Sequence, residues 1–124
     1  MHGARFLARI LETELVVHRQ AATLLVMQHA LESYKVAPEL AKLGVPVSVF
    51  GDAFAYKLEV IDSIPMATAI LDHAGVLVSV NTDTFSGHVP LHLDAGRAMR
   101  YGVSEDHALR MVTINPARQL GIDR

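Results

Sequence analysis

Two residues whose side chains bind metals each follow a short apolar run that is typical of a buried strand. His29 comes directly after the run 23–28, and Asp83 ends the stretch LVSVNTD. Ligands and catalytic groups collect at the carboxyl ends of parallel strands in α/β sheets. An imidazole and a carboxylate at one such edge suit Zn²⁺ or a similar divalent ion, and the carboxylate can also take a proton from water. Both residues also fit structural roles, Asp83 in an Asx turn and His29 hydrogen-bonded to a loop carbonyl.

Alternating strands and helices must position these two side chains. Apolar periodicity predicts three buried strands with helices between them and two more helices after the last strand. Helices that alternate with wholly apolar strands indicate a parallel sheet. In the fourth helix we expect Leu91, Ala95, Ala98 and Met99 to face inward. The predicted strands are 23–28, 45–50 and 76–81, and the predicted helices are 4–17, 33–43, 65–74, 91–100 and a last one capped by Ser104.

An internal repeat supports this division of the chain. The segments LAKLGVPVSVF (40–50) and LDHAGVLVSVN (71–81) share Leu, Gly, Val, Val, Ser and Val at equivalent places. Their offset of 31 residues is the length of one strand–helix unit. Each copy reads as a helix end, a glycine and a buried strand. Three strands do not complete a sheet, so we weigh a small α/β domain against consecutive units of a barrel of about 250 residues.

Composition excludes several classes of function. The chain has 124 residues, no cysteine, seven histidines and a net charge of −2. Disulfides and thiolate metal sites are therefore excluded, and the lack of a basic stripe argues against a nucleic-acid partner. Hydrophobic residues make up 51% of the chain, yet charges interrupt every run long enough to span a membrane. With no signal-peptide pattern after Met1, we expect a cytoplasmic protein.

Longer motifs carry a resemblance to a known family. The sequence VNTDT after a GVxVSV strand, followed by AGRAMRYGVSEDHALRMVTINPARQLGID, resembles the amidohydrolase superfamily. Within it the chain is most similar to the metal-dependent hydrolases related to imidazolonepropionase. The ending MVTINPARQLG is fairly specific, and MQHALESYKVAPELAKLGVPVSVF also fits the group. The resemblance covers residues 23–124.

The resemblance implies a (β/α)₈ barrel with one or two metals, Zn²⁺ in the usual case, at its mouth. Asp83 would correspond to the aspartate that ends strand eight, a metal ligand and proton shuttle. His29 would correspond to the histidine that ends strand six, a ligand or a polariser of the substrate carbonyl. The segment 51–62 would carry substrate contacts, with Tyr56 and Lys57 as candidates by position.

The chain departs from the family pattern in several places. The HxH pair of strand one, the lysine or glutamate of strand four and the smaller β-sandwich do not occur in the sequence. We therefore expect residues 1–124 to be the C-terminal segment of the catalytic barrel, strands six to eight with the helices that follow. The fold class predicted is α/β, a partial TIM barrel of about three parallel strands.

The function expected is metal-dependent hydrolysis of an amide, cyclic amide or peptide-like C–N bond in a small-molecule substrate. On its own the chain should lack activity and metal, because only two ligands are assigned. Two alternatives stay open: a deaminase of the same superfamily, and a non-catalytic truncated product or interaction module. Open barrel edges would favour self-association in the last case.

Overall fold

The computed structural model describes residues 26–28, 30–50, 61–82 and 90–124. The predicted helix 4–17 and the first residues of the predicted strand 23–28 lie outside these ranges. In the described ranges no helix has the length and apolar character needed to cross a membrane. The elements in chain order are β1 (Met27–Gln28), a 3₁₀ helix (Ser33–Val36), α1 (Ala37–Leu43), β2 (Val47–Phe50), α2 (Ala67–His73), β3 (Val78–Asn81), α3 (Leu91–Arg100), α4 (Glu105–Met111) and α5 (Ile114–Gln119).

The three strands form one parallel sheet in the order β1-β2-β3, as the sequence predicts. Met27 pairs with Val47, and Val47 pairs with Val78. Because all three strands run in the same direction, their carboxyl ends lie at one edge of the sheet. That edge is where the sequence places His29 and Asp83 next along the chain.

The internal repeat forms two equivalent units that pair with each other. Ser48 pairs with Ser79, 31 residues apart, so the offset of the repeat is also the register of the sheet. In each unit the helix ends at a glycine with positive φ, 68° at Gly44 and 83° at Gly75. Such a backbone suits glycine, and it turns the chain from the helix directly into the next strand.

Prolines explain two differences from the predicted helices. The predicted helix 33–43 begins as a 3₁₀ helix and becomes α-helical only at Ala37, because Pro38 has no N–H to bond the carbonyl four residues back. Residues 90–124 hold three helices rather than two. Pro116, which the sequence pattern places after the last helix, lies inside the first turn of α5, where a missing N–H costs nothing.

The buried face of α3 also differs from its prediction. Ala95 and Ala98 are buried as expected, but Leu91 and Met99 are 39% and 42% exposed. Asp94, only 1% exposed, lies inward in their place and pairs with Arg97. The small side chains of the two alanines form the buried stripe, and Met99 lies about 100° around the helix from Ala98, at the margin.

The hydrophobic core lies between the sheet and the helices. On one face of the sheet the strands present valines, which the helices cover with leucine, methionine and alanine side chains. On the other face Ser48 and Ser79 are buried as well. Strands buried on both faces are expected of a parallel sheet. The largest apolar side chains with less than 2% exposure are Leu40, Leu71, Met111, Val45, Val47, Val49 and Val78.

Two amide side chains from α5 hold the amino end of the sheet. Gln119 is buried, and its Nε2 donates to the carbonyls of Val47 (3.1 Å) and Leu77 (3.0 Å), while its Oε1 accepts from Ser79 Oγ (2.6 Å). Asn115 Nδ2 donates to the Val78 carbonyl at 2.7 Å. Val47 N–H bonds Leu77 O across the β2–β3 pair, so the Val78 carbonyl points away from β2, and Asn115 covers part of that edge.

We expect Gln119→Ala to lower the free energy of unfolding by about 2 kcal/mol or more, because it leaves the Ser79 hydroxyl without its acceptor and removes two donors from buried carbonyls. Gln119→Met, which keeps most of the volume, should lose nearly as much if hydrogen bonds rather than packing set the effect. Arg118→Ala, at a half-exposed neighbour, should change stability by less than about 0.5 kcal/mol. Urea denaturation measures all three, and a Gln119→Met variant as stable as wild type would contradict the assignment.

Candidate functional site

The four residues predicted for the site, His29, Asp83, Tyr56 and Lys57, all lie outside the described residues. Their convergence therefore remains a prediction. The structure does describe the strand ends that precede His29 and Asp83. Gln28 is level with Ser48 across the sheet, and β2 alone separates β1 from β3. Asp83 follows Asn81, the last residue of β3, by two positions.

Asn81 and Ser48 form the polar contact nearest this carboxyl edge. Asn81 pairs with Phe50 in the register of β2 and β3, and its Nδ2 donates to Ser48 Oγ at 2.6 Å. The other amide atom, Oδ1, is buried and has no hydrogen-bond partner in the described part of the chain. The sequence offers one signal for this contact: both strands carry serine at equivalent positions, and Asn81 falls on the same face two residues after Ser79.

A second polar cluster joins the segments that follow β1 and β2. Lys35 Nζ donates to Asp62 Oδ2 at 2.6 Å and to Glu32 Oε2 at 2.9 Å. Tyr34 OH donates to the Asp62 carbonyl at 2.8 Å. Partners 27 and 28 residues apart leave no local pattern in the sequence, so this cluster could not be predicted.

The cluster shifts two pKa values in opposite directions. The hydrogen bond from Lys35 lowers the pKa of Asp62 below its ordinary value of 3.8. The hydrogen bond to Asp62 is the largest cause that raises the pKa of Lys35 above its ordinary value of 10.5, and the bond to Glu32 adds to it. Both groups are therefore charged throughout the neutral range, and the cluster acts as a structural tie rather than a proton donor or acceptor.

A histidine–aspartate pair lies at the other end of the sheet. His107 Nδ1 is 2.9 Å from Asp72 Oδ1. The pair borders a cleft of about 230 Å³ beside Gly75, Val76 and Leu77, just before β3 begins. Helix α4 begins as predicted, since the Ser104 side chain accepts from His107 N–H. The pair links α2 to α4 at the end of the sheet opposite to the carboxyl edge, where barrel enzymes place their catalytic groups.

Within the described ranges no three of histidine, aspartate and glutamate come together as a metal site. The donors that the sequence offers at the carboxyl edge are an imidazole and a carboxylate. These fit a divalent ion in chemical type, whereas a catalytic Zn²⁺ takes three protein ligands and a water. His29 and Asp83 would therefore supply two of the three protein ligands that a catalytic Zn²⁺ needs.

We expect Asp62→Asn to lower stability at neutral pH, with the gap from wild type closing in acid. The depressed pKa means that Asp62 contributes stability above 3.8, and the contribution is lost as pH falls through the lower folded pKa. Urea denaturation at a series of pH values measures the gap. Asp106→Asn, on an exposed helix position, controls for loss of one carboxylate. If the difference in stability between wild type and Asp62→Asn stays constant down to the lowest pH, the Lys35–Asp62 ion pair does not stabilise the fold.

Comparison with known proteins agrees with the sequence resemblance. The model of the amidohydrolase family matches residues 12–124. A crystal structure of an amidohydrolase from Thermotoga maritima MSB8 superposes with a TM-score of 0.72 at 34% identity, and the match covers 91% of this chain. It covers 30% of that chain, so the present chain spans under a third of its structural relative. No curated protein matches the sequence.

The resemblance to the superfamily is thereby confirmed, while the narrower similarity to imidazolonepropionase-related enzymes remains a prediction. The family match includes both strands of the internal repeat and the helices that close the amino end of the sheet. Since it extends over far more than half of the sequence, the chain belongs to the amidohydrolase family.

Proposed function

We propose that this chain supplies strands six to eight of a metal-dependent amidohydrolase barrel that hydrolyses a C–N bond. The observation that carries the proposal is the parallel sheet, in which β1 and β3 flank β2. Next along the sequence after these two strands come His29 and Asp83, whose side chains are of types that bind metals. Membership of the family makes hydrolysis the general activity. The substrate we favour is an amide, a cyclic amide or a short peptide-like molecule.

The barrel itself is part of this proposal. Three parallel strands with helices between them are the repeating unit of a (β/α)₈ barrel, and strand edges at β1 and β3 would pair with its remaining strands. The remaining strands would bring the other ligands.

His29 and Asp83 are the residues that would hold the metal. When bound, a divalent ion supplies Lewis acidity and lowers the pKa of water. Asp83 would accept a proton from the attacking water and return it to the leaving nitrogen, the role of a general base and then a general acid. His29 would bind the metal or polarise the substrate carbonyl. Tyr56 and Lys57 would contact the substrate, by their position in the segment after β2.

Location and association are proposed on chemical grounds. A chain without cysteine suits a reducing compartment such as the cytoplasm, where disulfides are rare. Within the described residues the outer edges of β1 and β3 have no strand partner, and they would join this chain to further strands, either of a longer polypeptide or of a second copy.

A chimera tests the activity directly. Replacing the matched segment of the Thermotoga maritima amidohydrolase by residues 12–124 of this chain should retain metal and hydrolysis, because the two chains share the fold of this segment and 34% of their sequence. In that chimera Asp83→Ala should reduce turnover by about 10²–10⁴-fold, the range for loss of a general acid–base group. Asp106→Ala, an exposed aspartate on α4, is the matched control and should leave turnover unchanged.

The chimera assays should follow product and ammonia separately. Hydrolysis of a cyclic amide without ammonia supports the proposal, and ammonia release from an amidine ring would assign the deaminase alternative. Full activity in the Asp83→Ala chimera would contradict the proposed role of this residue.

The chain of 124 residues by itself should purify largely without metal and show no amidase turnover, because two ligands hold a divalent ion weakly. His29→Ala and Asp83→Ala should then change stability by less than about 0.5 kcal/mol. Elemental analysis beside an assay with added Zn²⁺ measures this. Stoichiometric metal that is lost in Asp83→Ala would instead mean that a second copy of the chain completes the site.

A further inference from the structure

The cleft at the amino end of the sheet combines two basic side chains with an amide. It has a volume of about 230 Å³. Since one water takes up about 30 Å³, a small tetrahedral anion and several waters fit inside. Side chains of α2, α4 and α5 and the backbone before β3 form its wall. The lining residues are Asp72, Gly75, Val76, Leu77, His107, Arg110 and Asn115.

The two basic side chains of this cleft lie on one face of α4. His107 and Arg110 are three residues apart, a spacing that makes them neighbours on the surface of a helix. Their side chains are 51% and 50% exposed. A ligand from solution therefore reaches both of them without any movement of the core.

The acidic side chain of the cleft is engaged by the imidazole. His107 Nδ1 lies 2.9 Å from Oδ1 and 3.0 Å from Oδ2 of Asp72, whose side chain is 13% exposed. A carboxylate only accepts hydrogen bonds, so Nδ1 carries the hydrogen and Nε2 is the ring nitrogen left for a ligand. Nε2 accepts an O–H from monohydrogen phosphate when the ring is neutral, and it donates to a phosphate oxygen when the ring is protonated.

Arg110 and Asn115 supply further donors. Arg110 Nη2 pairs with Asp106 at 2.8 Å, but Asp106 is 64% exposed, and an exposed i,i+4 pair contributes little free energy. The guanidinium is therefore free to exchange that partner for an anion, and its planar fork matches two phosphate oxygens. Asn115 uses one of its two amide hydrogens for the Val78 carbonyl at 2.7 Å, so the second remains for a ligand.

We propose that this cleft binds a phosphate group, either as inorganic phosphate or as a small phosphomonoester. A tetrahedral phosphate has enough oxygens to meet donors from α4 and α5 together, and the monohydrogen ion also carries a hydrogen for Nε2 of His107. A carboxylate has two oxygens and, when ionised, no hydrogen to give. The site lies at the opposite end of the sheet from the proposed active site, so it requires neither metal nor hydrolysis.

Titration of the 124-residue chain with inorganic phosphate tests the proposal. In NMR spectra we expect saturable shifts of the backbone N–H signals of Leu77 and His107 and of the side-chain N–H₂ signals of Asn115. The N–H₂ signals of Asn81, at the carboxyl end of the sheet, are the internal control and should not move. Potassium chloride at equal ionic strength controls for screening.

A parallel titration with glycerol 3-phosphate distinguishes the two sources of the phosphate group. An ester that binds at least as tightly as inorganic phosphate assigns a phosphomonoester as the ligand. Binding of inorganic phosphate alone assigns the free ion. Either result supports a phosphate site, whereas failure of both ligands to bind overturns it.

Variants of exposed residues test the donors without disturbing the core. Arg110→Gln should weaken phosphate binding about tenfold, the loss of a charge-assisted hydrogen bond, and leave the urea midpoint unchanged. Asp106→Asn should tighten binding about twofold, because it removes the carboxylate that competes for Arg110. Arg118→Gln is the matched control, since Arg118 is also 50% exposed but does not line the cleft, and phosphate affinity should not change.

Three results would overturn the proposal. The first is the absence of saturable shifts at Leu77, His107 and Asn115 up to about 100 mM phosphate, where salt screens exposed charges beyond about 10 Å. The second is a set of shifts that potassium chloride reproduces. The third is equal phosphate affinity in wild type and Arg110→Gln.

Discussion

The structure depends on the in-register pairing of β2 with β3. These strands come from two copies of one sequence unit, and residues at equivalent places in the copies are those that pair. A slip of one residue would turn the valines to the face of the serines and the serines into the helix-covered core. The pairing also sets the direction of each following segment, because parallel strands deliver their carboxyl ends to one edge. Leu40 and Leu71, both fully buried before their glycines, hold the two helices against this pair.

The two ends of the sheet are built for different purposes. At the amino end Asn115 and Gln119 donate to strand carbonyls, so buried backbone there is satisfied and one edge is partly covered. Both residues belong to the TINPARQLG motif, which gives that motif a structural role. At the carboxyl end the Asn81 oxygen stays unpaired in the described residues. Barrel enzymes show the same division, with stability at the amino face and catalysis at the carboxyl face.

How far the sequence predicts this molecule depends on the range of the interaction. The strands, the two helix-ending glycines and the parallel order follow from apolar runs and from the repeat, because these are local or periodic signals. The sequence pattern does not reveal the third C-terminal helix, because Pro116 reads as the end of the preceding helix although proline is equally compatible with a first helical turn. The Lys35–Asp62 tie has no local pattern, and the site residues His29 and Asp83 were identified from strand ends and family resemblance rather than from contacts.

Ser48 and Ser79 are buried on one face of the sheet, and their hydrogen-bond partners differ between its two ends. A fold that needed only stability would place valine at positions 48 and 79, as it does on the other face, because buried hydroxyls must find partners to avoid a cost. Ser79 finds one in Gln119, and Ser48 finds one in Asn81. In the first pair the amide nitrogen and oxygen of Gln119 are both hydrogen-bonded. In the second pair the amide oxygen of Asn81 has no partner among the described residues. Among the described residues this polar network is therefore complete at the amino end of the sheet and lacks one hydrogen bond at the carboxyl end.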